Sequence, residues 1–548
     1  MKNKVKKTDK DILLQIIRKI SVLDNPDERD VALVIAKHPS LSLKTFSKSQ
    51  VIEAYRKYKK DVNFSTKKEK EFLQRIKMKK VRTSSGVTPV AIMTKPYPCP
   101  GNCIYCPNDP KVPKSYLSLE PGAQRALSNN FDPYLQVYNR LVAYTKIGHV
   151  TDKVEIIVLG GTWSFYPENY QIWFIKRVFD ALNDFNPKNS NYLSTTKERE
   201  QKRTTWPSLY LAQKVNETAK SRCVGLVLET RPDYISQDEV VKLRKLGATK
   251  IQIGVQSLSN DILKLNKRGH SVKETENAFS LLRMAGFKIH AHWMPNLYGS
   301  TPKKDIEDYR KLFTDKNFKP DELKIYPCSL ILNTGLYDIY KKKKWRPYTE
   351  KQLLYVLENC ITSTPRYCRL TRVIRDISSD DIVAGNKKSN FRQVVEKSLK
   401  DKKLKINEIR HREVKDADVS LDKLSLRDNV YETKISTEHF LEFVTKDDKI
   451  AGFLRLSVPK VKTFINEISG SSVIREVHVY GQVVGFGKEE EGKAQHMGLG
   501  SLLIKKAEEI TLSLGIKKIS VISSIGTRRY YSKKGYKLKD IYQVKLLK

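Results

Sequence analysis

Lys95–Asp109 reads KPYPCPGNCIYCPND. Cys99, Cys103 and Cys106 fall within eight residues, spaced C-x3-C-x2-C, with Tyr105 just before the last. The prolines and Gly101 around them dictate a tight loop, not a helix or strand. Thiolates this close in sequence can converge on one soft metal. Three thiolates leave a 4Fe-4S cluster one ligand short, so its open iron can take a substrate. A structural zinc knuckle would want a fourth Cys or His nearby, and none lies within forty residues on either side. Unrelated free thiols are the remaining alternative.

Outward from this loop the chain alternates short apolar runs with helical patterns. Val87–Thr94 precedes the cysteines. Val154–Leu159 ends in Gly160-Gly161-Thr162, Cys223–Glu229 in Thr230-Arg231-Pro232-Asp233, and Lys250–Val255 in Gln256-Ser257. Lys288–Trp293 and Leu323–Tyr326 follow. This rhythm predicts parallel βα units, and in a βα barrel the active site gathers on the loops after the strands. Every motif above sits there. The polar stretch Pro187–Pro207 reads as a surface loop.

Residues 1–80 read as helical and basic. Ile12, Leu13, Ile16, Ile17 and Ile20 fall at helical spacing, as do Val51, Tyr55 and Tyr58. Lys59, Lys60, Lys67, Lys68, Lys70, Arg75, Lys77, Lys79 and Lys80 then crowd the approach to the cysteines. A solvated face explains any one of these lysines; their clustering suits a phosphate backbone. Lys387–Lys405 reads as a join. The expected division is a basic helical segment at 1–80, a barrel at 81–385, a linker at 386–405 and a second domain at 406–548.

The 548 residues suffice for roughly two to four domains. Lys and Arg total 102 against 61 acids, a net charge of +41 that builds a field gathering polyanions. Nucleic acid is the partner it favours; a general coating of lysine is the alternative. Seven cysteines with three in one loop do not form a disulfide framework, and an oxygen-sensitive cluster suits a reducing cytoplasm. No run of about 18 apolar residues occurs, so no membrane span is expected.

After residue 406 the pattern changes to short strands, expected at Ile409–Val414, Glu432–Ile435, Ala451–Leu456 and Ile474–Val479. Ala494–Gly500 (AQHMGLG) then opens a helix to about Leu514, Lys518–Ser523 is a strand, and Tyr530–Tyr536 begins a last helix and turn. Gly498 and Gly500 let a backbone approach a ligand, and the first helical N–H groups suit a pyrophosphate. Tyr530 or Tyr531 can place a phenol near a departing thiolate as a general acid. A structural glycine turn with core tyrosines is the alternative.

The cysteine spacing resembles the cluster loop of radical S-adenosylmethionine (SAM) enzymes. The Gln495–Gly500 turn with its tyrosine pair resembles the acetyl-CoA site of GNAT acetyltransferases. CPGNCIYCPN, LGGTWSFYPENY, LETRPD, GVQS, NKRGH, AHWMPNL, IREVHVYG, QHMGLGSLL and RRYYSKKGY run in order through the chain. Together they resemble the catalytic subunit of the Elongator complex in its archaeal-type form, from about residue 80 to the end. The short gap between Cys99 and Cys103 departs from eukaryotic members, which have a longer one.

The resemblance implies an α/β protein: a partial βα (TIM-like) radical-SAM barrel, a C-terminal GNAT α/β domain and a basic helical N-terminal segment. It implies a tRNA uridine(34) C5-carboxymethyl transferase, in which radical chemistry on SAM activates the acetyl methyl of acetyl-CoA for addition to wobble uridine and the thioester is then hydrolysed. Cys99, Cys103 and Cys106 would hold the 4Fe-4S cluster, Gly160 and Gly161 the SAM ammonium, and Glu229 a ribose hydroxyl. Acetyl-CoA contacts map onto Lys153, Glu476, Val477, His478, Val479, Ala494, Gln495, His496 and Tyr531. Lys267 resembles an active-site lysine, with one more surface lysine as the alternative. Arg366–Arg375 would join the N-terminal helices in gripping the anticodon stem-loop. An electron donor is required, a cytoplasmic setting is expected, and a homodimer stays open. Cys328, Cys368 and His411 sit where some relatives carry a linker zinc, but buried hydrophobes explain the thiols equally, and no zinc is assigned. The competing function is a protein lysine acetyltransferase using the GNAT domain alone; a third is a tRNA-binding module without catalysis, against which the intact cysteines argue.

Overall fold

The computed structural model describes residues 8–24, 26–41, 45–78, 86–188, 190–195, 204–414, 419–480 and 498–548. The N-terminal helices α1 (Asp9–Ser21), α2 (Glu28–Ala36), α3 (Lys48–Lys57), α4 (Lys59–Val62) and α5 (Thr66–Ile76) close around their own core, in which Ile16, Ile20, Val51, Ile52, Phe72 and Ile76 are buried. Thr8 with Asp11 and Ser47 with Gln50 form capping boxes that satisfy the first N–H groups of α1 and α3. The basic stretch therefore sits on a folded platform. Its Lys79 and Lys80 lie outside the described residues.

The central body is an open, all-parallel sheet in the order β1 (Thr88–Met93), β2 (Lys153–Leu159), β3 (Arg222–Thr230), β4 (Lys250–Gln256), β5 (Lys288–Trp293), β6 (Glu322–Ile325) and β8 (Arg369–Val373). β7 (Leu330–Ile331) pairs with β9 (Ile382–Ala384) beside it. Helices return each strand to the sheet, giving the expected partial barrel. Half of the segment Arg366–Arg375 is the strand β8. Three of its arginines meet acids, Arg366 with Glu442 and Asp448, Arg369 with Glu413, and Arg375 with Glu120, while Arg372, 46% exposed, pairs with the exposed Asp376 at the surface. Within the expected linker, Phe391–Asp401 is a helix whose Phe391, Val395 and Leu399 join the barrel core.

The C-terminal domain is a second sheet, ordered β10 (Ser425–Glu432), β11 (Ser436–Val444), β12 (Ile450–Pro459), β13 (Ser472–Val479), β14 (Lys518–Val521), β16 (Tyr542–Leu546) and β15 (Lys537–Lys539). All pairs are antiparallel except β13 with β14. Two expected strands are corrected. Ile409–Arg412 is a helical turn, because the Glu408 carboxylate accepts from the N–H groups of Arg410 and His411 and caps it. Glu432–Ile435 is the reversal between β10 and β11.

The two sheets meet through buried charge. Arg475 of β13 donates both terminal nitrogens to Asp321, at 2.7 and 2.6 Å, and one also to the Phe287 carbonyl. Both side chains are 0% exposed, so the pair ties β13 to the starts of β5 and β6. From there ions step into the barrel: Arg455 to Glu476 (2.8 Å), Glu476 to Lys288, Lys288 to Glu322 (3.4 Å), and Lys250 to Glu322 (3.0 Å) and Glu155 (2.9 Å). Arg244 donates to the Ser523 and Ile541 carbonyls, and Gly526 sits so close to Arg222 and Cys223 that a Cβ there would lie 2.7–2.8 Å from them.

Removing one partner of a buried pair strands the other charge. Arg475→Met is expected to destabilise by about 3–5 kcal/mol, read as a lower denaturant midpoint, with much of the loss recovered when Asp321→Leu is added. Burial opposes ionisation of Asp321 and Glu476, but Arg475 and Arg455 for the first, and Lys288 and Arg455 for the second, outweigh it and hold both low, Glu476 at about 2. Burial also pushes His478 down to about 4 from 6.5. Between pH 6.5 and 4 the unfolded chain binds a proton at His478 that the folded chain refuses, and below pH 4.5 the same holds for Glu476, so stability falls as pH drops through both windows. Thermal melts from pH 7 to pH 3 are expected to show that two-stage decline, with the first stage reduced in His478→Gln and its remainder carried by His270, His290 and His292, which burial also holds down.

Candidate functional site

The cysteine loop leaves β1 at the C-terminal end of the sheet and is strapped at its middle residue. The Ile104 N–H donates to the Asn266 carbonyl (3.2 Å), and its carbonyl accepts from Leu336 N–H (2.8 Å). Two guanidiniums close on it. Arg268 places Nη1 3.5 Å from Cys103 Sγ and donates Nη2 to the Gly254 carbonyl (2.8 Å). Arg231 is fixed by Asp233 through Nε and Nη2, at 2.9 and 2.8 Å. Its Nη1 is buried without a hydrogen-bond partner and stands where a Cβ on Gly101 would come within 2.3 Å of it. Burial pushes the Cys103 thiol up, but Arg268 and Arg231 more than offset this and favour the thiolate. Cys106 is pushed up to about 12 by burial and by Cys103 beside it; a coordinating metal deprotonates such a thiol outright.

This donor set fits an anionic iron–sulfur cluster. Three thiols share one loop, and two arginines flank it, each with a buried N–H that has no partner, Arg231 Nη1 and Arg268 Nε. Among the described residues no three His, Cys, Asp or Glu converge as ligands of a single ion. Cys328 and Cys368 lie in separate hydrophobic clusters, 3% and 0% exposed, with thiols raised by burial. They behave as buried hydrophobes.

The Gly160-Gly161-Thr162 turn abuts the loop, with Thr162 Oγ1 3.8 Å from Cys99 Sγ. Gly160 has φ +152°, and a Cβ there would lie 2.1 Å from Thr94 Oγ1, so the turn requires glycine. Glu229 faces the barrel interior, where burial raises its carboxyl despite Lys324, Arg375 and Arg268. Sequence reasoning missed its neighbours. Gln252 Oε1 accepts from Lys324 Nζ and, at 2.9 Å, from His292 Nε2. Burial keeps His292 neutral, so its Nδ1 stands bare toward Glu229 Oε1, 3.5 Å away. Lys324 is lowered to about 8 by burial. The missed signal was the alternation of Lys288, His290 and His292 along a strand buried on both faces. Lys267 is exposed, with φ +50°, one residue before Arg268.

In the C-terminal domain β13 pairs with β14 only over Ser472–Ile474 and runs on through Val479, opening a cleft on that side. The helix Leu499–Ser513 points its first turn there, after Gly498 at φ +71°. A Cβ on Gly500 would lie 3.1 Å from Tyr530 Oη, 3.8 Å from Val479 and 4.0 Å from Val477. Val477, Val479, Gly500 and Tyr530 are thus brought together. Glu476 points its carboxylate at Lys288 in the barrel, and His478 is half-buried, with Nε2 inside and unpartnered. Tyr531 lies in the domain core, 7% exposed, against Tyr536. It is therefore Tyr530 that stands beside the glycine turn. Ala494, Gln495 and His496 lie outside the described residues. Lys153 begins β2 opposite Arg222. The turn Ile525–Thr527, which leads into the tyrosine helix Arg528–Ser532, packs on that same strand end. Among the described residues no helix is long and apolar enough to cross a membrane.

Residues 97–313 match the Radical SAM superfamily, and residues 320–401 the Radical_SAM C-terminal domain. A tRNA uridine(34) acetyltransferase of Methanocaldococcus infernus is 42% identical over 503 residues, covering 89% of this chain and 90% of that protein. Elongator complex protein 3 of Homo sapiens is 35% identical, covering 87% of each. The solved archaeal Methanocaldococcus infernus Elp3 with an N-terminal deletion superposes with a TM-score of 0.71 at 38% identity, over 84% of this chain and 99% of that one. With a cysteine loop, an open parallel sheet and a C-terminal α/β domain shared over that length, the chain belongs to the radical SAM family of Elongator complex protein 3 and the tRNA uridine(34) acetyltransferases.

Proposed function

We propose that this chain is a cytoplasmic tRNA-modifying transferase that carboxymethylates wobble uridine at C5, drawing the added carbons from acetyl-CoA. The observation that carries this reading is the joining of two sites. A cysteine loop set among arginines and a cleft flanked by a glycine turn and Tyr530 belong to sheets locked together by Arg475–Asp321 and Lys288–Glu476. The relatives named for tRNA uridine(34) weigh against the protein lysine acetyltransferase alternative.

Cys99, Cys103 and Cys106 would hold the 4Fe-4S cluster, with Arg231 and Arg268 donating to its sulfurs. When bound, cluster and SAM supply hydrogen-atom abstraction, chemistry that belongs to the cofactors. Gly160, Gly161 and Glu229 would orient SAM. His292 and Glu229, facing each other with one bare nitrogen and one raised carboxyl, can hold a proton between them in a buried site. In the C-terminal domain, Gly498 and Gly500 would admit the pyrophosphate of acetyl-CoA, Val477 and Val479 would flank the pantetheine, and Tyr530 would protonate the departing thiolate. Lys153 would reach this cleft from the barrel side. Lys267 is read as a contact to the incoming nucleotide.

The test is nucleoside mass spectrometry on tRNA after anaerobic incubation of the reconstituted protein with tRNA, SAM, acetyl-CoA and a reductant. A carboxymethyl group on wobble uridine, lost in Cys103→Ser and reduced about a hundredfold in Tyr530→Phe, is the expected result. Tyr531→Phe, altering a core residue, is expected to cost less. Formation of 5′-deoxyadenosine with no modified uridine would discard the substrate.

A further inference from the structure

A second basic feature, outside the N-terminal helices, stands beside the cysteine loop. The helix Gly335–Lys341 is the element whose Leu336 N–H holds the Ile104 carbonyl, and a Cβ on Gly335 would lie 3.4–3.5 Å from Ile104. It ends in Lys341-Lys342-Lys343-Lys344, all four exposed. None of the four forms an ion pair among the described residues. By contrast Lys388, on a nearby connection, is neutralised by Glu350 at 2.7 Å. The tract is nevertheless anchored. Trp345 directly after it is buried, 6% exposed, and donates Nε1 to the Asn296 carbonyl (3.1 Å). Arg346 stacks on Tyr340 and donates to its carbonyl (2.8 Å). Lys343 is held at φ +58°, a left-handed conformation that breaks the helix and fans the lysines out.

We infer that Lys341–Lys344 grip the phosphates of an RNA loop whose base enters the barrel mouth. The inference rests on the tRNA reading above. Seven helical residues span roughly 10 Å, so the tract lies about one nucleotide step or two from Ile104. An enzyme acting on a base takes it out of the stack, and the phosphates on either side of that base then lie at the rim of the pocket. Phosphate contacts position such a substrate without reading its sequence. The opposite strap on Ile104 comes from Asn266, and the exposed Lys267 follows it, so cations bracket the loop on two sides. Lys341 Nζ lies 4.5 Å from the Tyr337 ring centre, as Arg346 lies over Tyr340, so the helix's own rings hold the cations at its end.

The experiment measures binding of a fluorescein-labelled tRNA anticodon stem-loop, carrying a wobble uridine, to the reconstituted full chain by anisotropy across a salt series. In the variant Lys341→Ala, Lys342→Ala, Lys343→Ala, Lys344→Ala, affinity is expected to fall on the order of tenfold or more, with the slope of log K against log salt shallower by about 2–3. Arginine at all four positions is expected to restore both, and thermal melts of both variants should match the parent, since the side chains are exposed. Equal affinity and slope in the alanine variant, with the parent binding well, would make the tract a solvated face and overturn the inference alone. Unchanged RNA binding with slower cluster reduction by an acidic redox protein would reassign the tract to the reductant and overturn it too. A parent chain that binds no stem-loop would remove both the inference and the tRNA reading beneath it.

Discussion

The bidentate pair between Arg475 and Asp321 fixes the relation of the two halves of this molecule. Both side chains are fully buried, so neither tolerates loss of the other. Asp321 also accepts from the Ile289 N–H, so one carboxylate registers β5, β6 and β13 together. The interface is therefore specified by directional charge as much as by apolar contact, and Arg244, reaching two carbonyls of the C-terminal domain, repeats the device.

From that anchor the barrel interior takes an unusual character. Barrel cores of this kind are ordinarily filled by branched apolar side chains. Here β4, β5 and β6 turn Lys250, Gln252, Lys288, His290, His292, Glu322 and Lys324 inward. The row begins at Glu476 and ends at Glu229, below the arginines of the cysteine loop. Each charge on it has a partner, which is what a low-dielectric interior demands. The polarity is graded: ion pairs at the floor, neutral histidines and a weakened lysine toward the mouth.

The sequence was most legible where chemistry is local. Cys99, Cys103 and Cys106 read directly, since one short loop holds all three, and the six strands from Val87 to Tyr326 read because each is a short apolar run closed by a turn. The seventh strand, Arg369–Val373, was hidden by its own composition: its arginines read as a basic surface, and the acid that holds Arg369, Glu413, lies far away in sequence. Ile409–Arg412 read as a strand because capping by Glu408 is a tertiary-strength effect of one side chain. Arg231, Arg268 and His292 were invisible for a similar reason. Their meaning depends on what they face, and periodicity reports only which way a side chain points. The tyrosine pair was recognised, but only packing distinguishes Tyr530, beside the glycine turn, from Tyr531, sealed in the core.

Lys288 and Glu476 are 188 residues apart in the chain. During synthesis the barrel strands leave the ribosome with Lys250, Lys288 and Glu322 already placed toward their interior, while the Glu476 carboxylate that meets Lys288 has not been made. At roughly 5–20 residues per second that interval lasts on the order of ten to forty seconds. Over it the nascent barrel floor holds Lys288 without Glu476 and Asp321 without Arg475, and it stays open until β13 docks. The last domain made thus acts as the closing piece of the first, and an interrupted chain ending in the barrel is marked as unfinished by its own electrostatics.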